Sequence, residues 1–395
     1  MLRVLTLASL FPDSTRPDFG GFVAHQTLGL AAHPKVEVRV VAPIGLPPFP
    51  LDRLPRYRAL SRVPRCETWR GLEVHRPRFV NLPGTGGRFH AAMLTRALRP
   101  VLAAIRRDFA FDVIDAEFFF PDGPAAVALG RAFGVPVSIK ARGSDIHHWG
   151  VASPTAHQVV AAGRAANGCL AVSSALRDDM IALGIEAERI RVHRTGIDAD
   201  RFAPRDRDAA KAALGVAGPL VVSVGNLIDR KGHAIVIDAV ARLPGVQLLI
   251  AGAGPARAAL EAQVAAAGLG ERVRLLGAVP HDDLPAIFAA ADAMALASES
   301  EGLANVWVEA LASGTPIVIT EAGGAREVVD RPAAGRIVVR TPEAFAQGIA
   351  ELLMDPPPQA DVRGAAAKFS WATNTAELYA HLGGLVARHR AQSKG

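Results

Sequence analysis

What most limits the folds open to this chain is a rhythm. Short β-rich apolar runs alternate with Ala-rich helical stretches along almost all of its 395 residues. In the first half the strand candidates are 3–7, 36–42, 112–115, 136–141, 169–172 and 190–193. In the second half they are 220–225, 246–251, 273–277, 293–297, 316–320 and 336–339. Between them lie segments such as PARAALEAQVAAAG and HDDLPAIFAAAD, built of helix formers and closed by Gly or Asp. Such alternation is the pattern of βαβ units, which fold as parallel sheets with helices on both faces. The polar stretch DADRFAPRDRD (198–208) separates two sets of six strands. The expectation is therefore an α/β chain of two Rossmann-like, doubly wound domains facing a central cleft, divided at 1–200 and 201–370. A tail helix at 371–395 completes it.

Composition excludes several classes. Half of the residues are apolar and 21% are charged, as in ordinary globular proteins. No window approaches the roughly 18 uninterrupted apolar residues of a membrane span. The opening MLRVLTLASLFPDSTRPDFGG reads as a first strand entering a Gly-bearing loop, because its apolar run is short and no small-x-small cleavage site follows. Cys66 and Cys169 stand without Cys or His spacing around them, which suits reduced thiols of a cytoplasmic protein and shows no zinc framework. Charge is uneven. Residues 51–107 hold 13 Arg and 3 acids, interleaved with Tyr57, Trp69 and Phe89. Beside the apolar PIGLPPFPLDRLP (43–55), that segment suits anionic lipid, anionic saccharide or nucleic acid. A solvated face in an Arg-rich chain is the competing reading, since Lys supplies only 6 of the 44 cations.

One carboxylate is out of place. Across EGLANVWVEALASGTPIVIT (301–320) the only charge after Glu301 is Glu309, flanked by Val306, Trp307, Val308, Ala310, Leu311 and Ala312. Removing an unpaired carboxylate from water is expensive, so it needs a partner or a solvated stripe. These flanks leave little room for a stripe. A ribose diol is one partner that offers two hydroxyls, and the start of the same helix offers N–H groups to an anion. Two turns follow strands upstream. GNLIDRKG (225–232) brings Arg230 and Lys231 together, as a phosphate group requires, although an exposed Arg-Lys pair is common without any ligand. GAGP (252–255) lacks the third glycine of a dinucleotide fingerprint, because Arg257 stands there; close backbone approach to a nucleotide stays open.

Together these segments make the chain resemble the retaining family-4 type glycosyltransferases of the GT-B fold, over nearly its whole length. The resemblance is carried by the E-x7-E pair Glu301/Glu309, VGNLIDRKG, AGAGP and GGAREVV (323–329), and also by FGGF near the start, ARGSDI (141–146) and GIDADRFAP at the junction. It implies a nucleotide-sugar donor held mainly by the second domain, with the tail helix crossing back to the first. Glu309 would bind the donor ribose and Glu301 the sugar hydroxyls near the reacting carbon. Arg230 and Lys231 would neutralise the leaving diphosphate. Gly302, Leu303, Ala304 and Asn305 would present backbone groups, and Gly252 and Gly254 would lie close to the nucleotide. Gly20 and Gly21 would let the first-domain loop approach the same donor phosphates.

Three positions depart from the family pattern. Asn226 stands where Arg is common after the glycine of the phosphate motif, and Arg230 takes over its charge. DVIDAEFFFPDG places Asp115 and Glu117 where many members carry His-x-His, leaving Glu117 either catalytic or a structural ion-pair partner. Arg142, before GSD and Asp145, replaces a frequent histidine on the acceptor side. The D-x-D matches at 198–200 and 206–208 fall in the junction, so no catalytic metal and no tightly bound cofactor is expected. The expected activity is transfer of a hexosyl unit from a UDP- or GDP-sugar to a glycan or lipid-linked acceptor in surface-polysaccharide assembly. It would act in the cytoplasm, with possible peripheral contact with anionic membrane and no nucleic acid. A non-catalytic sugar-nucleotide-binding or scaffold protein is the alternative from another class.

Overall fold

The structure is a computed structural model that describes residues 1–17 and 19–393; residues 394 and 395 of the expected tail lie outside the described residues. The chain forms two units, one from residues 1–196 together with the segment from Trp371, the other Ile197–Ser370.

The first unit contains β1 (Leu2–Leu7), β2 (Val36–Val41), β3 (Ile44–Leu46), β4 (Cys66–Trp69), β5 (Leu72–His75), β6 (Arg78–Val80), β7 (Val113–Ala116), β8 (Val137–Ala141), β9 (Gly168–Ala171) and β10 (Ile190–Val192). Eight of these make one sheet in the order β10-β9-β8-β7-β1-β2-β5-β4, and β3 pairs with β6 in a small ribbon. Every residue of β7, β8 and β9 is buried, as expected of parallel strands covered on both faces.

The six-strand expectation for this half is too low by four. The missed strands CETW, LEVH, RFV and IGL are short and half-exposed, so no apolar run announces them. β4 and β5 form an antiparallel hairpin whose two-residue loop, Arg70-Gly71, holds both residues at positive φ (46° and 84°). That is the primed-turn geometry usually signalled by Asn-Gly, and an arginine in the first place hides it.

The helix Trp371–Gln392 belongs to this unit because Leu378, Leu382 and Val386 pack against Val4, Leu30, Val36, Val113 and Leu170. Each such side chain contributes about 1.5–3 kcal/mol on burial.

The second unit has β11 (Leu220–Val224), β12 (Gln247–Ala251), β13 (Val273–Gly277), β14 (Ala293–Leu296), β15 (Ile317–Thr320) and β16 (Gly335–Val338), all parallel, in the order β13-β12-β11-β14-β15-β16. Its core gathers Val221, Ile237, Leu248, Ile250, Phe345 and Ile349. In both sheets the strand order reverses beside the first strand, at β1/β7 and at β11/β14. Ligands of doubly wound sheets bind outside the carboxyl ends of the strands at such points.

Candidate active site

At the β11/β14 switch point the chain leaving β11 makes a short turn, Asp229–Lys231, closed by Gly232 at φ 69°. A Cβ on Gly232 would stand 2.2 Å from the Ala297 carbonyl oxygen, so only glycine lets this turn lie against the end of β14. Arg230 donates to the Ser300 carbonyl, and its own carbonyl accepts from the Glu299 N–H at 2.8 Å. Lys231 Nζ meets Glu301 Oε1. Arg340 fastens the same loops, donating to the carbonyls of Ala297 (2.8 Å) and Asp229 (3.1 Å). Beneath them His233 Nδ1 lies 2.9 Å from Ser223 Oγ, and burial pushes its pKa down to about 4, so the imidazole is neutral. Arg230, Lys231 and Glu301, far apart in sequence, thus form one cluster. Asn226 is exposed on the loop beside it.

Gly252 and Gly254 have a packing reason of their own. A Cβ on Gly252 would stand 1.8 Å from the Gly225 carbonyl oxygen, and one on Gly254 2.3 Å from that of Leu227. The approach they permit is of one loop to another, held by bonds from the Leu227 N–H to the Ala253 carbonyl and from the Ala256 N–H to the Leu227 carbonyl.

The helix carrying the isolated carboxylate is Asn305–Ala312. Its start has no side-chain cap and no acid in its first turn, leaving N–H donors for an anion. Gly302, Leu303 and Ala304, all buried, lead into it. Glu309 is 7% exposed; its Oε1 lies 2.8 Å from His281 Nε2, while Oε2 is buried with no hydrogen-bond partner among the described residues. The carboxylate is therefore half satisfied by the protein. Sequence reasoning missed His281. Its position just beyond the end of β13, on the ligand side of the sheet, was the available signal.

In the first unit Gly20 and Gly21 follow the loop after β1. Gly20, at φ 70°, would set a Cβ 2.4 Å from the Leu10 carbonyl oxygen, so backbone geometry explains it. A Cβ on Gly21 would meet nothing within 4 Å, so packing leaves that glycine unexplained.

Glu117 follows β7 and is 1% exposed. One carboxylate oxygen accepts from Gln26 Nε2 and the other from an Arg142 guanidinium nitrogen. Arg142 also donates to the Glu117 carbonyl at 3.1 Å and lies over the Phe22 ring at 4.8 Å. Asp145 organises the backbone around them. It accepts from the N–H groups of Phe119 (2.8 Å), Arg142 (2.9 Å) and Gly143 (2.8 Å), and burial raises its pKa despite these donors. Asp115 is held well above the usual carboxylate range by burial and by the neighbouring Glu117. Lys140 donates to Gln26 Oε1 at 2.6 Å and lies 2.8 Å from His193 Nδ1, and burial drives its pKa well down. Gln26, Lys140 and His193 were also missed; a lysine beside Ile139 and Ala141 within a strand candidate was the signal for Lys140.

Both D-x-D sequences are used locally: Asp198 accepts from the Arg201 N–H, and Asp206 caps the helix after it by accepting from the Ala209 N–H. The one grouping of cation-ligand type among the described residues is Cys66, Glu73 and His75 on the β4–β5 hairpin. At the start of the basic segment and just before it, Phe49, Leu51 and Leu54 are exposed, and the helix Pro55–Arg62 has no buried residue. No helix among the described residues is long and apolar enough to cross a membrane.

Comparison with known proteins decides the family. Residues 22–201 match the model of Glycosyltransferase Family 4 and residues 204–369 that of Glycosyl transferases group 1. The chain belongs to these glycosyltransferases, with the GT-B fold. Among curated family members it is similar to the D-inositol 3-phosphate glycosyltransferase of Mycolicibacterium vanbaalenii, 35% identical over 227 residues, covering 52% of this chain and 50% of that protein. The Mycobacterium tuberculosis protein of that description is 42% identical over 148 residues, 36% of this chain and 31% of the relative. The chain thus spans about half or less of the curated relatives it matches. Its fold is that of the sucrose-phosphate synthase of Thermosynechococcus elongatus (TM-score 0.80, 19% identity, 98% and 100% of the two chains). It is also that of Anabaena HepE in complex with UDP-glucose (TM-score 0.71, 22% identity, 97% and 100%).

Proposed function

We propose that this chain transfers a hexosyl unit from a UDP- or GDP-sugar, with net retention at the anomeric carbon, to a glycan or lipid-linked acceptor of surface-polysaccharide assembly. The observation that carries the reading is the buried, half-satisfied Glu309 beside an uncapped helix start, at the switch point that also gathers Arg230, Lys231 and Glu301.

In this reading Glu309 Oε2 accepts from the donor ribose, and His281 holds the carboxylate in place through Oε1. The diphosphate takes the N–H groups at the start of the Asn305–Ala312 helix and the cations of Arg230 and Lys231. Lys231 then exchanges its contact with Glu301 for phosphate oxygens, which frees Glu301 to accept from sugar hydroxyls. As the glycosidic bond breaks, negative charge grows on the leaving diphosphate, where these preorganised donors stabilise it. The acceptor hydroxyl attacks from the face the leaving group occupies and passes its proton to that phosphate, so the protein contributes positioning and charge rather than a covalent intermediate. In this reading no metal is required, because Arg230 and Lys231 supply the positive charge on the diphosphate.

The acceptor is assigned to the first unit, near Arg142 and Glu117. Glu117, bonded on both carboxylate oxygens, keeps Arg142 oriented, and Asp145 fixes the backbone of that loop. The open face of Gly21 gives a phosphate room. The exposed Phe49, Leu51 and Leu54 beside the Arg-rich helix support peripheral contact with an anionic cytoplasmic leaflet.

The test is a thermal-shift panel of UDP, GDP, ADP and their sugars, followed by donor hydrolysis without acceptor. A true donor raises the melting temperature by mass action and is slowly hydrolysed. If a nucleotide sugar binds but no donor is ever hydrolysed or transferred, the protein is a sugar-nucleotide-binding scaffold. If none binds, the reading of this site is wrong.

A further inference from the structure

A second site lies at the other end of the first sheet. Glu117 and Arg142 follow the last residues of β7 and β8, whereas a recess of about 510 Å³ opens at the beginnings of β9 and β10. Gly168, Glu188 and Arg191 line it from the strand side, and His381 and Arg388 from the helix Trp371–Gln392. The volume is that of a site for a small ligand.

Three features set it apart from a solvated surface. His381 is only 4% exposed, yet neither ring nitrogen has a hydrogen-bond partner among the described residues. Buried polar groups are seldom left so. Burial, with Arg191 and Arg388 nearby, lowers its pKa to about 4, so the ring is neutral and offers one donor and one acceptor. Gly168 makes room for that ring, since a Cβ would stand 2.8 Å from Cε1 and 3.2 Å from Nε2. Arg191 and Arg388 pair with no carboxylate among the described residues, although the adjacent Arg189 meets Glu186 at 3.2 Å and donates to the Ala166 carbonyl. Two unpaired guanidinium forks and a carboxylate line one recess, and a buried neutral imidazole without partners among the described residues lies in its wall.

We propose that this recess binds a phosphate monoester of a small sugar or polyol, with Arg191 and Arg388 on the phosphate and His381 and Glu188 on the hydroxyls. Guanidinium groups suit phosphate oxygens because their N–H donors form a planar fork, and a carboxylate suits hydroxyls because it only accepts. A simple dianion would leave Glu188 facing like charge, so the hydroxyl-bearing part belongs to the ligand. Occupancy ties the tail helix to the β9–β10 edge, a coupling separate from donor binding.

The experiment titrates glucose 6-phosphate, inorganic phosphate, sulfate and glucose into the full chain by calorimetry, with and without saturating UDP. Glucose 6-phosphate is expected to bind at a single site with or without UDP, and the His381 ring nitrogen resonances to move on saturation. Glucose alone should not bind. Arg191→Gln and Arg388→Gln, both at exposed side chains, should each weaken binding about tenfold or more, as loss of a charge-assisted bond requires, with the melting temperature of the free protein unchanged. Four results overturn the proposal: no saturable binding at millimolar ligand, unchanged affinity in the doubly substituted protein, competition with UDP, or equal affinity for sulfate or inorganic phosphate. The last would mean an adventitious ion only.

Discussion

Glu309→Gln is the sharpest perturbation of the donor reading, because the two carboxylate oxygens do different things. Oε1 already accepts from His281 at 2.8 Å, and a glutamine carbonyl can replace it there at nearly the same position. Oε2, buried and without a partner among the described residues, becomes an amide that donates where a ribose hydroxyl should donate. Hydrogen bonds to charged groups contribute about 1.5–3 kcal/mol net, and one of them is lost at the ribose. Nucleotide affinity should therefore fall by roughly ten- to a hundredfold. Unfolding should change much less, because removing the buried charge also removes its desolvation cost. Calorimetric titration of UDP and GDP into both proteins, with melting curves, checks this. His281→Ala is the control: it strands the carboxylate and should lower stability before it lowers affinity. If Glu309→Gln stays folded and binds the true nucleotide with unchanged affinity, Glu309 is a structural partner of His281 and the ribose assignment falls.

The remaining expectations concern charge. Arg230→Ala or Lys231→Ala should each cost about 2–4 kcal/mol of transition-state stabilisation in kcat/KM, and turnover should persist in excess EDTA; loss on chelation with rescue by Mg²⁺ would contradict this. Glu301→Gln should lower kcat more than it raises the Kd for donor, because Glu301 is assigned to hydroxyls of the transferred sugar. Glu117→Gln strands Arg142 in a buried position, so it should destabilise the fold by about 3–5 kcal/mol, the cost of breaking a buried pair, seen as a markedly lower melting temperature; a fully stable variant without turnover would instead make Glu117 catalytic. His233 and His381 stay neutral down to about pH 4 when folded, while the unfolded chain protonates both near pH 6.5, so each contributes a loss of stability as pH drops across that window, against the opposite contribution of the raised Asp115 and Asp145 carboxyls. Replacing either histidine by Leu should flatten that acid limb in melting curves taken from pH 7 to pH 4.5. Liposome flotation should show binding that rises with anionic lipid, falls with salt and weakens on charge reversal at Arg56, Arg58 and Arg62. Protein left in the soluble fraction at low salt would dispose of membrane contact.

The sequence determined everything whose cause is local. Twelve parallel strands were legible because each is a short segment rich in apolar β-formers, buried throughout in β7, β8, β9, β11 and β14, and the helices between them could be read from their formers and closing glycines. The oddity of Glu309 was equally plain, since its neighbours alone deny it a solvated face. Tertiary structure decided the partners. His281 reaches Glu309 from 28 residues away, Lys231 reaches Glu301 from 70, and Lys140 reaches Gln26 from 114. None of these separations follows a helical or strand period; each is set by crossovers that bring elements distant in sequence together within one unit. The edge hairpin β4–β5 was hidden for a related reason: a half-exposed strand needs no apolar run, because its stability comes from pairing with a neighbour rather than from its own burial. Gly252, Gly254 and Gly168 show the same division. Their sequence said only that a side chain was unwelcome, and the fold showed that a backbone carbonyl stands in the way at the first two and a histidine ring at the third.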